Sequence, residues 1–221
     1  MAVITISRQY GSGGSEIARL LCDQLGYRYF DKDLMAQLGA KLGLGPGQVV
    51  DLPEDKHQVQ SLMERLFGAV PNPFGDPGEW ALPAKLDAQQ HLSLQTVQRL
   101  IRAAYEHDKV VLMGRGGQVV LRDAPDVLHV RVVAPIEMRI RRVQESAGVT
   151  VDAARRQVAQ RDQASAEYVK RFYDVDSADP LLYHVVINTG KIAPAAAVDL
   201  IINALEGLPT AATSEAADVA A

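Results

Sequence analysis

The chain has 221 residues, 48% of them hydrophobic, a formal net charge of −4 and a single cysteine. That size suits one α/β domain carrying an insertion, the acidic balance argues against general nucleic-acid binding, and Cys22 on its own excludes an internal disulfide or a cysteine-based zinc site. No apolar run approaches the length of a membrane span and no basic-then-apolar segment precedes the first strand, so a soluble cytoplasmic protein without a membrane partner is expected.

The first apolar run, Ala2–Ile6, reads as a strand. Gly11, Ser12, Gly13, Gly14 and Ser15 follow, and Ile17, Leu20, Leu21 and Leu25 then share one helical face. A strand, a glycine-rich turn and a helix N-terminus is how α/β proteins hold phosphate. Glycine lets the backbone curl close to the oxygens, and the unpaired amides and dipole of the first helical turn face the anion. Ser15 can also serve as the helix N-cap. The loop departs from the pattern G-x-x-x-x-G-K-[ST]. With Ser15 aligned to the hydroxyl, Arg8 takes the first glycine position, Gly13 the second, and Gly14 stands where the lysine belongs. A plain glycine turn of an α/β domain fits the same residues.

Four more runs read as strands: Tyr27–Phe30, Lys109–Met113, Val127–Val133 and His184–Asn188. Helical faces lie between or after them, at Val97, Leu100, Ile101 and Ala104, at Ile136, Ile140, Val143 and Ala147, and at Val198, Ile201, Ile202 and Leu205. Strands alternating with helices predict a five-stranded, mainly parallel sheet covered by helices on both faces, an α/β three-layer arrangement. In such sheets the ligand crevice opens beyond the carboxyl ends of the strands, so the first loop, the residues after Phe30 and those after Met113 are expected to converge.

Residues from about 44 to 87 interrupt the alternation. Their prolines and glycines exclude a long helix, and Val59, Leu62 and Leu66 allow one short one. This stretch reads as an inserted helical or irregular lobe within a single domain, 1–208, and the small, polar tail 209–221 as frayed. From Arg131 to Arg171 nine Lys/Arg stand against five Asp/Glu, a local +4 that suits a compact anionic ligand; solvated helix faces with i,i+4 ion pairs account for part of it. His57, His91, His107, His129 and His184 show no metal-like spacing, and the last two, within strands, are expected to be packed. Cys22 is expected to be a packing residue of the first helix. Trp80 lies in the insertion, and Tyr10 either stacks on a base or packs.

Several segments in order resemble the cytidylate-kinase-like branch of the P-loop nucleoside monophosphate kinases: Ile4–Ala18 with the glycine loop, Tyr29-Phe-Asp-Lys-Asp-Leu34, Val111-Leu-Met-Gly-Arg-Gly-Gly117, Arg161-Asp162, Tyr168-Val-Lys-Arg-Phe-Tyr173 and Tyr183-His-Val-Val-Ile-Asn-Thr189. The resemblance spans nearly all the chain except the tail and is weakest across the insertion. It implies a P-loop kinase fold and transfer of the ATP γ-phosphate to a nucleoside monophosphate, with CMP first among the acceptors. Gly11–Ser15 would hold the donor phosphates and Ser15 would reach Mg²⁺. Asp31 would hold or deprotonate the acceptor, which suits a carboxylate, although a turn or N-cap aspartate before a helix near Leu34 reads equally well from the residues. Arg115 would grip the acceptor phosphate through paired hydrogen bonds. Arg161 and Arg171 would offset charge as a lid, residues 148–176, closes, with Lys170 a weaker candidate.

Three departures accompany the resemblance. Cytidylate kinases carry Gly-Arg-Asp where this chain has Gly116 after Arg115 and several arginines where it has Gln163-Ala-Ser165-Ala-Glu-Tyr, and Gly14 stands where the usual P-loop has its lysine. Arg8, at the mouth of the loop, is the expected substitute for that missing cation. These losses keep open a non-catalytic nucleotide-binding or sensing protein, a kinase of another small metabolite, and an interaction module on a decayed kinase fold.

Overall fold

Strand β1 (Val3–Arg8) lies at the centre of a five-stranded sheet. The computed structural model describes residues 2–30, 94–95, 97–102, 104–106 and 108–208. The other strands are β2 (Arg28–Phe30), β3 (Val110–Met113), β4 (Val127–Val133) and β5 (Val185–Asn188), in the order β2-β3-β1-β4-β5. Every pairing is parallel, as short β-branched runs separated by helical crossovers require. The α/β class and five parallel strands agree with the sequence. The 44–87 insertion, Asp31, Trp80, His57, His91, His107 and the tail all lie outside the described residues.

The helices are α1 (Gly14–Leu25), α2 (Gly117–Val120), α3 (Ile136–Ala147), α4 (Val151–Tyr173) and α5 (Pro194–Glu206), with further helical residues at 94–95, 97–102 and 104–106. Alternate residues of the strands feed two cores. Ile4, Ile6, Val130 and Val132 pack with Ile17, Leu21, Val198 and Ile201 on one face. Val3, Val110, Leu112 and Val127 pack with Leu100 and Ile101 on the other. A third cluster, Ile140, Val143, Ala154 and Val158, joins α3 to α4.

Some boundaries and faces differ from expectation. β1 runs two residues past Ile6 because Ser7 and Arg8 pair with Arg131 and Val132; strand pairing uses the backbone and does not stop where side chains turn polar. Tyr27, Lys109 and His184 fall just outside their strands. The buried stripe of α1 is Ile17, Ala18 and Leu21, with Leu20 37% exposed. In α3 the buried residues are Arg139, Ile140 and Val143, while Ile136 is 44% exposed and Ala147 faces solvent. That helix rests on α4 and on the loop after β1, so its inward face is not the one that pure apolar periodicity marks. Val97, Leu100, Ile101 and Ala104 are all buried, as are Val198 and Ile201, with Ile202 and Leu205 packed at the margin.

Candidate functional site

The chain leaves β1 at Arg8 and turns sharply through Gly11 (φ +77°) and Gly13 (φ +86°) before α1 starts at Gly14. These left-handed positions favour glycine. Gly13 is the N-cap, and its carbonyl accepts from the Glu16 and Ile17 amides. Ser15 is therefore not the cap: it is the second helical residue, exposed in the first turn. The amides of Gly14 and Ser15 open the helix, where no carbonyl lies one turn back to receive them. Ser12 is fully buried in this loop, and its hydroxyl has no hydrogen-bond partner among the described residues. A buried donor of that kind is costly without a partner, so it fits an oxyanion seated in the curl.

The loop is pinned from behind. A Cβ on Gly11 would lie 2.8 Å from the Arg139 carbonyl oxygen and 3.0 Å from Val143 Cγ2, so the loop can approach α3 this closely only with glycine there. Arg139, 6% exposed, donates from Nε to the Ala134 carbonyl (3.1 Å) and from Nη1 to the Tyr10 carbonyl (3.2 Å). It also pairs with Asp162 of α4, whose other carboxylate oxygen accepts the Tyr10 amide at 2.8 Å. Arg142, one turn on in α3, donates to the Ser12 carbonyl (3.0 Å), to Thr189 Oγ1 (2.9 Å) and to the Thr189 carbonyl (3.0 Å). Thr189 Oγ1 donates to the same Ser12 carbonyl at 2.6 Å. Sequence reasoning counted Arg139 and Arg142 only within the +4 basic stretch read as suiting an anionic ligand, and missed this clamp. The available signal was their i,i+3 spacing on the helix directly after a central strand.

Gly14 and Arg8 meet. A Cβ on Gly14 would stand 2.8 Å from Arg8 Cβ and 3.3 Å from its Cγ. The root of the Arg8 side chain thus fills the place from which a side chain at position 14 would start. The two positions that the expected alignment exchanges relative to the usual loop are thus in contact in the fold.

Helix α4 brings Arg161 to this loop, with its guanidinium 5.1 Å above the Tyr10 ring. Tyr10 itself packs against the α3–α4 cluster. Arg171 lies ten residues further along, roughly 15 Å by helical rise, with its guanidinium 5.6 Å over Phe172. Lys170 pairs with Asp174 at 2.7 Å on the surface and holds that carboxyl below its usual range. Much of the stretch expected as a lid is one continuous helix, residues 151–173.

Beside the loop, the Gly114 amide donates to the Ile6 carbonyl at 2.9 Å, so the turn after β3 abuts β1. Of the three segments expected to converge, the turn after β3 adjoins the carboxyl half of β1, and the residues after Phe30 lie outside the described part. Arg115 has φ +57°, between Gly114 (+71°) and Gly116 (+72°), and a non-glycine residue in that region marks local strain. Tyr173, at the end of α4, donates to the Arg115 carbonyl at 3.1 Å. Its ring lies so close that a Cβ on Gly116 would sit 2.3 Å from Cε2. Burial, before any other cause, pushes the Tyr173 phenol well above its usual range. The Tyr173 ring thus fills the space that a side chain at position 116 would need.

His129 is buried, with Nδ1 2.7 Å from Thr5 Oγ1, and stacks on His184 at 4.9 Å. Desolvation, then the neighbouring His184, lowers its pKa to about 4, so it is neutral at pH 7. His184, expected to be packed, is exposed. Cys22 is half-buried against the first core, and burial followed by Asp23 raises its thiol to about 11. Among the described residues no group of three or more His, Cys, Asp or Glu could hold a metal ion, and no helix is long and apolar enough to cross a membrane.

The sequence model of the cytidylate kinase-like family matches residues 3–191. The cytidylate kinase of Halobacterium salinarum is 23% identical over 205 residues, 92% of this chain and 89% of that protein. The uronate isomerase of Corynebacterium glutamicum is 28% identical over 171 residues, 77% of this chain, but the chain spans only 32% of that protein. An uncharacterized protein from Eubacterium ventriosum has the same fold, with a TM-score of 0.64, 18% identity and 94% and 99% of the two chains covered.

Proposed function

We propose, starting from the fact that the chain belongs to the cytidylate kinase-like family, that it is a nucleotide-dependent phosphotransferase moving the γ-phosphate of ATP to a nucleoside monophosphate, CMP first among the candidates. One observation carries the reading. The loop after β1 is a pinned curl of backbone with a buried, unpartnered Ser12 hydroxyl and a cation rooted beside Gly14. Gly11–Ser15 would hold the donor phosphates through amides and hydroxyls. Ser15, exposed in the first turn, would be the ligand for Mg²⁺, which neutralises charge on the transferring phosphates. Arg8 would act in place of the loop lysine. Arg115 would hold the acceptor phosphate, Asp31 would position the acceptor, and Arg161 and Arg171 would offset charge in the transition state.

The contact between positions 8 and 14 supplies the test. Arg8→Gly should lower the rate of ADP formation, measured with ATP, Mg²⁺ and a panel of monophosphates, by about 10²-fold or more. Gly14→Lys alone should crowd the Arg8 side chain. The double variant Arg8→Gly/Gly14→Lys restores the usual arrangement and should recover most of the activity. An Arg8→Gly protein with unchanged nucleotide affinity and turnover would remove Arg8 from the site. The absence of a loop lysine favours one second reading, a nucleotide sensor that does not turn over. It predicts thermal stabilisation by ATP with no ADP from any acceptor.

A further inference from the structure

A second guanidinium stands at the carboxyl edge of the central strands. Arg131 of β4 is paired in register with Ser7 of β1. On the other side of β1, Ile6 is level with Met113 of β3, so Ser7 is level with Gly114. Ser7 thus lies between Arg131 and the turn that carries Arg115, with neighbouring strands about 4.8 Å apart. All three elements serve the same face of the sheet. Thr5 and Ser7 of β1 meet His129 and Arg131 of β4 on that face. Gly117, directly after the Arg115 turn, sits over Thr5, since a Cβ there would lie 3.4 Å from Thr5 Cγ2.

The partners of Arg131 are neutral. Its Nη1 donates to Ser7 Oγ (2.9 Å) and to Tyr183 Oη (3.1 Å), and its guanidinium lies 5.3 Å from the Tyr183 ring centroid. Tyr183 Oη is anchored in turn on the Ser177 carbonyl at 2.8 Å. Among the described residues no carboxylate pairs with Arg131, whereas Arg139 and Arg155 are matched to Asp162 and Glu137. Its Nε and Nη2 donate to no described residue. A half-buried cation without a counter-ion forfeits hydration and gains little in return. Hydroxyls that fix one edge of the fork leave the other in the geometry that takes two oxygens of one oxyanion.

We propose that Arg131, held by Ser7 and Tyr183, is a specificity-determining residue that binds the phosphate of the acceptor opposite Arg115. The acceptor is then a phosphate monoester and not a neutral alcohol. This rests on the phosphotransferase reading for the identity of the acceptor site, but its binding test stands apart from turnover.

The experiment is thermal unfolding of the wild type, Arg131→Met and Arg131→Lys, each alone and with inorganic phosphate, CMP, cytidine or ATP. Without ligand, Arg131→Met is expected to unfold at the same or a higher temperature, because an uncompensated charge is removed while Tyr183 keeps Ser177. CMP should raise the wild-type midpoint and cytidine should not. That CMP shift should vanish in Arg131→Met and survive in part in Arg131→Lys, which keeps the charge and loses the fork. The ATP shift should be the same in all three proteins. In steady-state assays the KM for the monophosphate should rise at least tenfold in Arg131→Met with the KM for ATP unchanged. A ligand-free Arg131→Met protein that is less stable yet keeps the full CMP shift would overturn the proposal, because the guanidinium would then be structural. Equal shifts by CMP and cytidine would overturn it too. An Arg131-dependent CMP shift in a protein that makes no ADP supports this site and counts against the phosphotransferase reading alone.

Discussion

Replacing Gly116 by alanine separates two costs that the structure places on one residue. The first is conformational: Gly116 has φ +72°, and an L-residue in the left-handed region loses roughly 1–2 kcal/mol. The second is steric: the new Cβ would lie 2.3 Å from Tyr173 Cε2 and 2.8 Å from Cζ, and forcing a methyl into a filled space costs about 1–3 kcal/mol. Together they predict a loss of about 2–5 kcal/mol, measured by urea unfolding. In a Tyr173→Ala background the steric part disappears and the same substitution should cost only about 1–2 kcal/mol. The two sites would therefore couple by ~1–3 kcal/mol in a double-mutant cycle. Gly116→Asp, which imitates the pattern of the cytidylate kinases, should behave like the alanine variant and be rescued in the same way. A Gly116→Ala cost that is equal in both backgrounds would refute the argument, since the ring would then not be what excludes a side chain there.

Two further predictions concern the scaffold around the loop. Asp162→Ala leaves the nearly buried Arg139 guanidinium without its carboxylate and the Tyr10 amide without its acceptor; breaking a pair of this kind costs about 3–5 kcal/mol, and nucleotide-induced stabilisation should weaken with it. Loss of less than 1 kcal/mol on urea unfolding would show that the clamp is dispensable. His129 gives a pH signature. Its folded pKa, about 4, lies below the ordinary 6.5, so the unfolded chain takes up a proton before the folded one does. The stability contributed by the neutral ring is complete above about pH 6.5 and is lost as pH falls toward about 4, a total of about 3 kcal/mol. His129→Gln should flatten that slope between pH 6.5 and 4; an unchanged slope would assign it to other groups.

Local pattern was enough for the layers of this protein. Val127–Val133 and the run at Val97, Leu100, Ile101 and Ala104 declare their structure through period and β-branching, because burial of one face is a property that neighbouring residues encode together. The glycine loop was legible for the same reason: positive φ at Gly11 and Gly13 is a demand that one residue type meets. Ser15 was a possible N-cap from sequence, but a serine can cap and need not, and here the turn geometry gives that place to Gly13.

What the sequence by itself determined is the parallel α/β architecture and the position of the glycine-rich curl, since both follow from short-range periodicity and backbone sterics. The tertiary structure alone decided how the arginines meet that curl. Arg139 and Arg142 read only as part of a basic stretch until α3 is laid against the loop, Arg8 meets Gly14 only through the turn between them, and Tyr173 reaches Gly116 from 57 positions away. Charge and shape complementarity between distant segments depends on docking distances of a few ångströms, and no spacing along a chain fixes those.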